Sequence, residues 1–67
     1  MEFEVIDTIT GFSIESGDLI RLASGEEFIV KEVESVDGGY NLRYYDAWED
    51  EYVTVLIDED EFVELLG

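Results

Sequence analysis

Ser24-Gly25-Glu26-Glu27-Phe28-Ile29-Val30-Lys31-Glu32-Val33-Glu34-Ser35-Val36-Asp37-Gly38-Gly39-Tyr40-Asn41-Leu42-Arg43-Tyr44-Tyr45 is the stretch whose reading decides the fold. Ser24-Gly25 is a tight-turn signal, and Asp37-Gly38-Gly39 is the clearest hairpin turn in the chain. Between them runs an uninterrupted β-type segment in which the apolar parity changes. Phe28 and Val30 share one face, whereas Val33 falls on the other with Ile29 and Lys31. A period-2 strand cannot bury both sets against one core, so the segment must bend or bulge between residues 30 and 33. Beyond the turn, Tyr40, Leu42 and Tyr44 alternate with Asn41, Arg43 and Tyr45, the pattern of a returning strand.

The same alternation extends outward. Phe3 and Val5 alternate with Glu2 and Glu4, and Ile6 and Ile9 carry this first strand to Gly11. A short Phe12–Glu15 piece leads to the Ser16-Gly17-Asp18 turn, then a second strand at Leu19–Ala23. After the polar patch Asp46–Asp50, the β-branched stretch Tyr52–Ile57 reads as another strand. The tail has two readings. Asp58 and Glu61 are spaced as a capping box for a short helix with Phe62, Leu65 and Leu66 on one face; equally, Phe62–Leu66 reads as a closing strand after one helical turn. The expectation is a mainly β chain, one domain over residues 1–67. It is a small curled antiparallel sheet or barrel of about five or six strands, with a short C-terminal helical turn as an option.

Gly17-Asp18-Leu19-Ile20-Arg21-Leu22, followed by the Ser24–Val33 hairpin and Asp37-Gly38-Gly39-Tyr40, resembles the SH3-like and KOW-like small barrels. That resemblance spans about residues 17–57 and implies a fold only, because its motifs encode turns.

Charge dominates the composition. Nineteen carboxylates face three cationic side chains, Arg21, Lys31 and Arg43, with no histidine, for a formal net charge of -16 in 67 residues. Pairing every cation leaves sixteen acids without an internal partner. Strongly acidic chains are often disordered, but this one is 46% hydrophobic and carries nine aromatic residues, enough for a core. Without cysteine there is neither a disulfide nor a thiolate zinc site, and the reading is a cytoplasmic protein. Met1-Glu2-Phe3-Glu4-Val5 has no basic start before an apolar stretch, and no run approaches the length of a membrane span, so neither secretion by a signal peptide nor membrane insertion is expected. An acidic surface also repels nucleic acid and anionic lipid, which argues against direct binding to either.

Catalysis has little to work with: nucleophilic triads need a base beside Ser or Cys, and the chain has no His, no Cys and one Lys. Carboxylate pairs are plentiful, but raising the pKa of one needs a cleft that a chain this short has little room for. Asp58-Glu59-Asp60-Glu61 and Glu49-Asp50-Glu51 offer hard oxygen ligands, yet neither run has the central glycine or alternating spacing of a calcium loop. We therefore expect no catalytic residue, metal or cofactor.

The acids instead suggest a surface for a basic partner. Residues i and i+2 of a strand lie about 6.8 Å apart on one face, so Glu2 with Glu4, and Glu32 with Glu34, form outward carboxylate rows. Asp46, Glu49, Asp50, Glu51, Asp58, Glu59, Asp60 and Glu61 form the densest acidic stretch. Within it Trp48 reads either as core or as an exposed anchor for a partner's arginine, with Tyr45 and Tyr52 nearby. A plain solvated face, for solubility or high salt, is the simpler reading of the same acids. Against the salt version, Glu outnumbers Asp twelve to seven, and six Ile and four Phe are retained.

Small size, extreme acidity and a β fold without cysteine or histidine look like the phage-encoded acidic inhibitors that mimic DNA, including those directed at the bacterial nucleoid protein HU. That resemblance, one of class and physical character, implies a protein acting in the host cytoplasm that occupies the basic DNA-binding surface of a bacterial DNA-binding protein, HU first among candidates. The alternative is an SH3-like interaction or assembly module whose acidic face is incidental.

Overall fold

The computed structural model describes residues 4–67, so the expected Glu2–Glu4 row lies partly outside the described residues. Among the described residues seven strands follow one another: β1 Val5–Thr10, β2 Leu19–Arg21, β3 Glu27–Ile29, β4 Glu32–Val36, β5 Gly39–Asp46, β6 Glu51–Asp58 and β7 Phe62–Leu66. A single 3-10 turn, Gly11–Ser13, occupies the start of the short piece after β1. The strands form two antiparallel sheets, one ordered β1-β7-β2-β3 and the other β4-β5-β6.

The bend expected between residues 30 and 33 is where the chain passes from one sheet to the other. Val30 donates its N–H to the Asp18 carbonyl at 2.9 Å and accepts from the Gly17 N–H at 2.7 Å, whereas the Lys31 N–H already donates to Arg43 in β5 at 2.7 Å. Backbone groups on both sides of the bend thus keep partners, which removes the cost of breaking the strand. The parity change has its predicted effect: Phe28 and Val30 are buried, and Val33 packs against the same core from the second sheet. Splitting that run in two is why seven strands appear.

Ile20 of β2, Val63 of β7, Leu42 of β5, Ile57 of β6 and Val30 at the bend are the large side chains fully shielded from water, so the core lies between the sheets. At about 2 kcal/mol for each such side chain, this cluster is the main term opposing chain entropy in a domain so small.

The structure selects the strand reading of the tail and narrows one turn. The tail is strand β7, paired with both β1 and β2, and Asp58–Glu61 is a turn closed by the Glu61 N–H on the Asp58 carbonyl at 3.1 Å, not a helix start. Burial of Val63 and packing of Leu65 on the same face, between two neighbouring strands, outweighs a capping box too short to nucleate a helix. In the β4–β5 hairpin Val36 pairs with Gly39, leaving Asp37 and Gly38 as the turn. Gly38 alone there has a positive φ, +81°. Gly39 is needed for room, since a Cβ on it would run into the Ile57 carbonyl oxygen.

Candidate partner-binding surface

The β5–β6 hairpin separates the acids that the sequence presents as one run. Asp46 pairs with Glu51 at one end of the hairpin and Gly39 with Asp58 at the other. At about 3.3 Å per residue, the seven steps from Glu51 to Asp58 span about 23 Å. Asp46, Glu49, Asp50 and Glu51 therefore form one acidic pole and Asp58, Glu59, Asp60 and Glu61 a second. Hairpin register adds a residue that linear reading misses: Asp37 joins the second pole, because the Glu59 N–H donates to the Gly38 carbonyl at 3.2 Å. Among the described residues no charged side chain is buried. Nor do any three acids converge closely enough there to hold a metal ion.

Between the poles the outer face of the three-stranded sheet is mixed. Glu32 and Glu34 do point outward from β4, opposite Arg43 and Asn41. Arg43, however, lies 3.7 Å from Glu32, so that row is partly neutralised. The Arg43 guanidinium also sits 4.7 Å above the Tyr52 ring, and Tyr52 meets Tyr45 edge to face at 5.4 Å. Arg21 is similarly held between Glu64 at 2.8 Å and Glu27 at 3.2 Å, and the hydrogen bond to Glu64 is the main cause of its raised pKa. Lys31 forms no ion pair among the described residues. Five carboxylates that the cations do not reach therefore gather at the second pole, and four at the first.

The first pole has a built loop. Asp46 Oδ1 accepts the Trp48 N–H at 2.9 Å and the Glu49 N–H at 3.4 Å, which closes the turn after β5. Asp50 takes a left-handed φ of 53°, a conformation aspartate tolerates better than most residues, and its carboxylate accepts the Tyr45 hydroxyl. That bond is the leading cause of the raised Tyr45 pKa. Trp48 projects from this loop with 97% of its surface exposed, which overturns the core reading and leaves the anchor reading. Phe62, 61% exposed, stands just after the second pole, so each acidic end carries an aromatic side chain in water.

A groove of about 390 Å³ lies beside the first pole, between β3, β5 and the loop. Ile29, Tyr44 and Trp48 supply its apolar wall, and Glu27, Asp46 and Lys31 its charges. Tyr44 is next to the loop in sequence, whereas Ile29 is the groove residue that linear reading misses, because only the fold brings β3 beside the loop. The signal was the parity change itself: Ile29, out of phase with Phe28 and Val30, had to face away from the core.

No family model matches the chain, and no curated protein or solved structure matches it. Among the described residues no helix is long and apolar enough to cross a membrane.

Proposed function

We propose that this chain is a DNA-mimic inhibitor: it occupies the basic DNA-binding surface of a bacterial DNA-binding protein, with the nucleoid protein HU as first candidate, and excludes DNA. The observation that carries this reading is the placement of charge. Of nineteen acids, nine gather at two poles about 23 Å apart at the ends of the β5–β6 hairpin, and no charged side chain is buried among the described residues. At 0.1 M salt the Debye length is about 10 Å, so poles about 23 Å apart are screened from each other and present a partner with two separate charged ends. The longest extent, 35 Å, is about one turn of duplex DNA. A Lys/Arg groove shaped for phosphates also attracts carboxylates of matching placement, through charge pairs that salt weakens.

The second reading, an interaction module with an incidental acidic face, is favoured by exposed Trp48 and the groove beside it. Pull-down from bacterial lysate at low and high salt separates the two. Mimicry predicts recovery of a basic DNA-binding protein that high salt releases and duplex DNA displaces. A partner retained at high salt and indifferent to DNA supports the module.

A further inference from the structure

We infer that the groove between Trp48, Ile29 and Tyr44 receives an arginine side chain from a basic segment of the partner, making it the specificity element of an otherwise diffuse electrostatic surface. The inference rests on the proposed function and adds the chemistry of one contact. Charge alone cannot distinguish arginine from lysine. A planar guanidinium can, because it stacks on indole and phenol faces while its edge pairs with carboxylate.

The chain displays that arrangement on itself: Arg43 lies 4.7 Å over Tyr52 with the Glu32 carboxylate 3.7 Å away. The groove offers an indole, a phenol and two carboxylates, with Lys31 as the one cation on its wall. Trp48 is 97% exposed and Ile29 52% exposed, so both apolar surfaces are open to an incoming side chain. Glu27 and Asp46 stand at the rim. Glu27 is shared with Arg21, and Asp46 Oδ1 is engaged by the loop, so each carboxylate keeps part of its accepting capacity for an incoming donor. Lys31 is the opposing group, and its ammonium, unpaired among the described residues, disfavours any cation entering beside it. A second copy of this chain is the poorer occupant, since it would bring a net charge of -16 against an equal one.

Trp48 is the only tryptophan and therefore reports directly. Its emission is followed during titration with poly-arginine and poly-lysine peptides of equal length at about 150 mM salt, where long-range charge is screened. The arginine peptide is expected to quench the emission and bind about fivefold more tightly than the lysine peptide, a preference that W48A, followed by anisotropy of labelled peptide, abolishes. D46N keeps the loop acceptor but removes the charge, and weakens arginine binding about threefold; K31Q strengthens it by a similar factor. Equal binding of the two peptides, or an arginine preference that survives W48A, overturns the groove assignment while leaving the proposed function standing. A Trp48 signal that changes with protein concentration alone gives the groove to a second copy and overturns it too. If neither peptide binds, the groove assignment fails; the proposed function fails only if duplex DNA also remains on the basic protein when this chain is added.

Discussion

Phe28 of β3 and Tyr44 of β5 stack with ring centroids 4.1 Å apart and planes 17° from parallel, which joins the two sheets at the end where the β5–β6 loop projects. Phe28 is buried and Tyr44 continues outward into the groove, so one pair links the core to the candidate surface. Removing the Phe28 ring is expected to cost about 3 kcal/mol or more, comparable with the whole stability of a domain this small. F28A should show no cooperative thermal transition, whereas F28L should keep one at a cost of about 1 kcal/mol. A native-like melt for F28A would place the inter-sheet contact elsewhere.

The β4–β5 hairpin separates two uses of glycine. Gly38 needs its positive φ, so G38A is expected to cost about 1 kcal/mol in urea unfolding. Gly39 needs space against Ile57, so G39V should cost more, about 2 kcal/mol or above, and move the hairpin. Equal losses in the two variants would contradict this division.

That hairpin also shows what was legible in the sequence. Asp37-Gly38-Gly39 marked the turn, and the parity of Phe28, Val30 and Val33 marked the bend, because both are local consequences of backbone geometry. The tail was ambiguous because Phe62–Leu66 suits a helix face or a strand equally until β1 and β2 are placed on either side of it. The surface was harder still. Asp46–Glu61 reads as one acidic run, and only the length of β6 divides it into two poles. Trp48 could not be placed by composition, since exposure is decided by a four-residue loop closed on the Asp46 side chain.

Alkali should weaken the fold through two tyrosines. Tyr44 is held above its ordinary value of 10.0 chiefly by burial, with Glu26 and Asp46 adding to it; Tyr45 is raised chiefly by its bond to Asp50. A raised pKa means the folded chain binds the phenolic proton more tightly than the unfolded chain. Their contribution is therefore complete below about pH 10 and lost as pH rises through the folded-state values. The urea midpoint should fall above that pH, and less steeply in Y44F and Y45F. Identical alkaline profiles for both variants and the parent would rule this out.

Salt should act in the opposite sense to its usual effect on ion-paired proteins. Sixteen acids in excess repel one another more in the compact state than in the expanded chain. Raising sodium chloride from about 20 to about 500 mM shrinks the Debye length several-fold and should raise the melting temperature by several degrees. A melting temperature that stays flat would mean the surface charges do not act on one another.

The two poles should contribute separately and in graded fashion. Reversal of Asp58, Glu59 and Asp60 to Lys, or of Glu49 and Glu51 to Lys, should each weaken binding to a basic partner by about tenfold or more at physiological salt and flatten its salt dependence. No single reversal should abolish binding, because many screened pairs share the work. Isothermal titration across a salt series measures both effects, and abolition by one substitution would point to a local site instead.

The most direct measurement is a gel-shift competition: purified HU bound to labelled duplex DNA, titrated with this protein and, in parallel, with the Asp58/Glu59/Asp60 reversal. The account predicts that free DNA appears as the protein is added, with no ternary band and no change in either component. The reversal should require about tenfold more protein for the same release. A supershifted complex holding HU, DNA and this protein together, or DNA that stays bound while the two proteins associate, would contradict mimicry and leave an interaction module in its place.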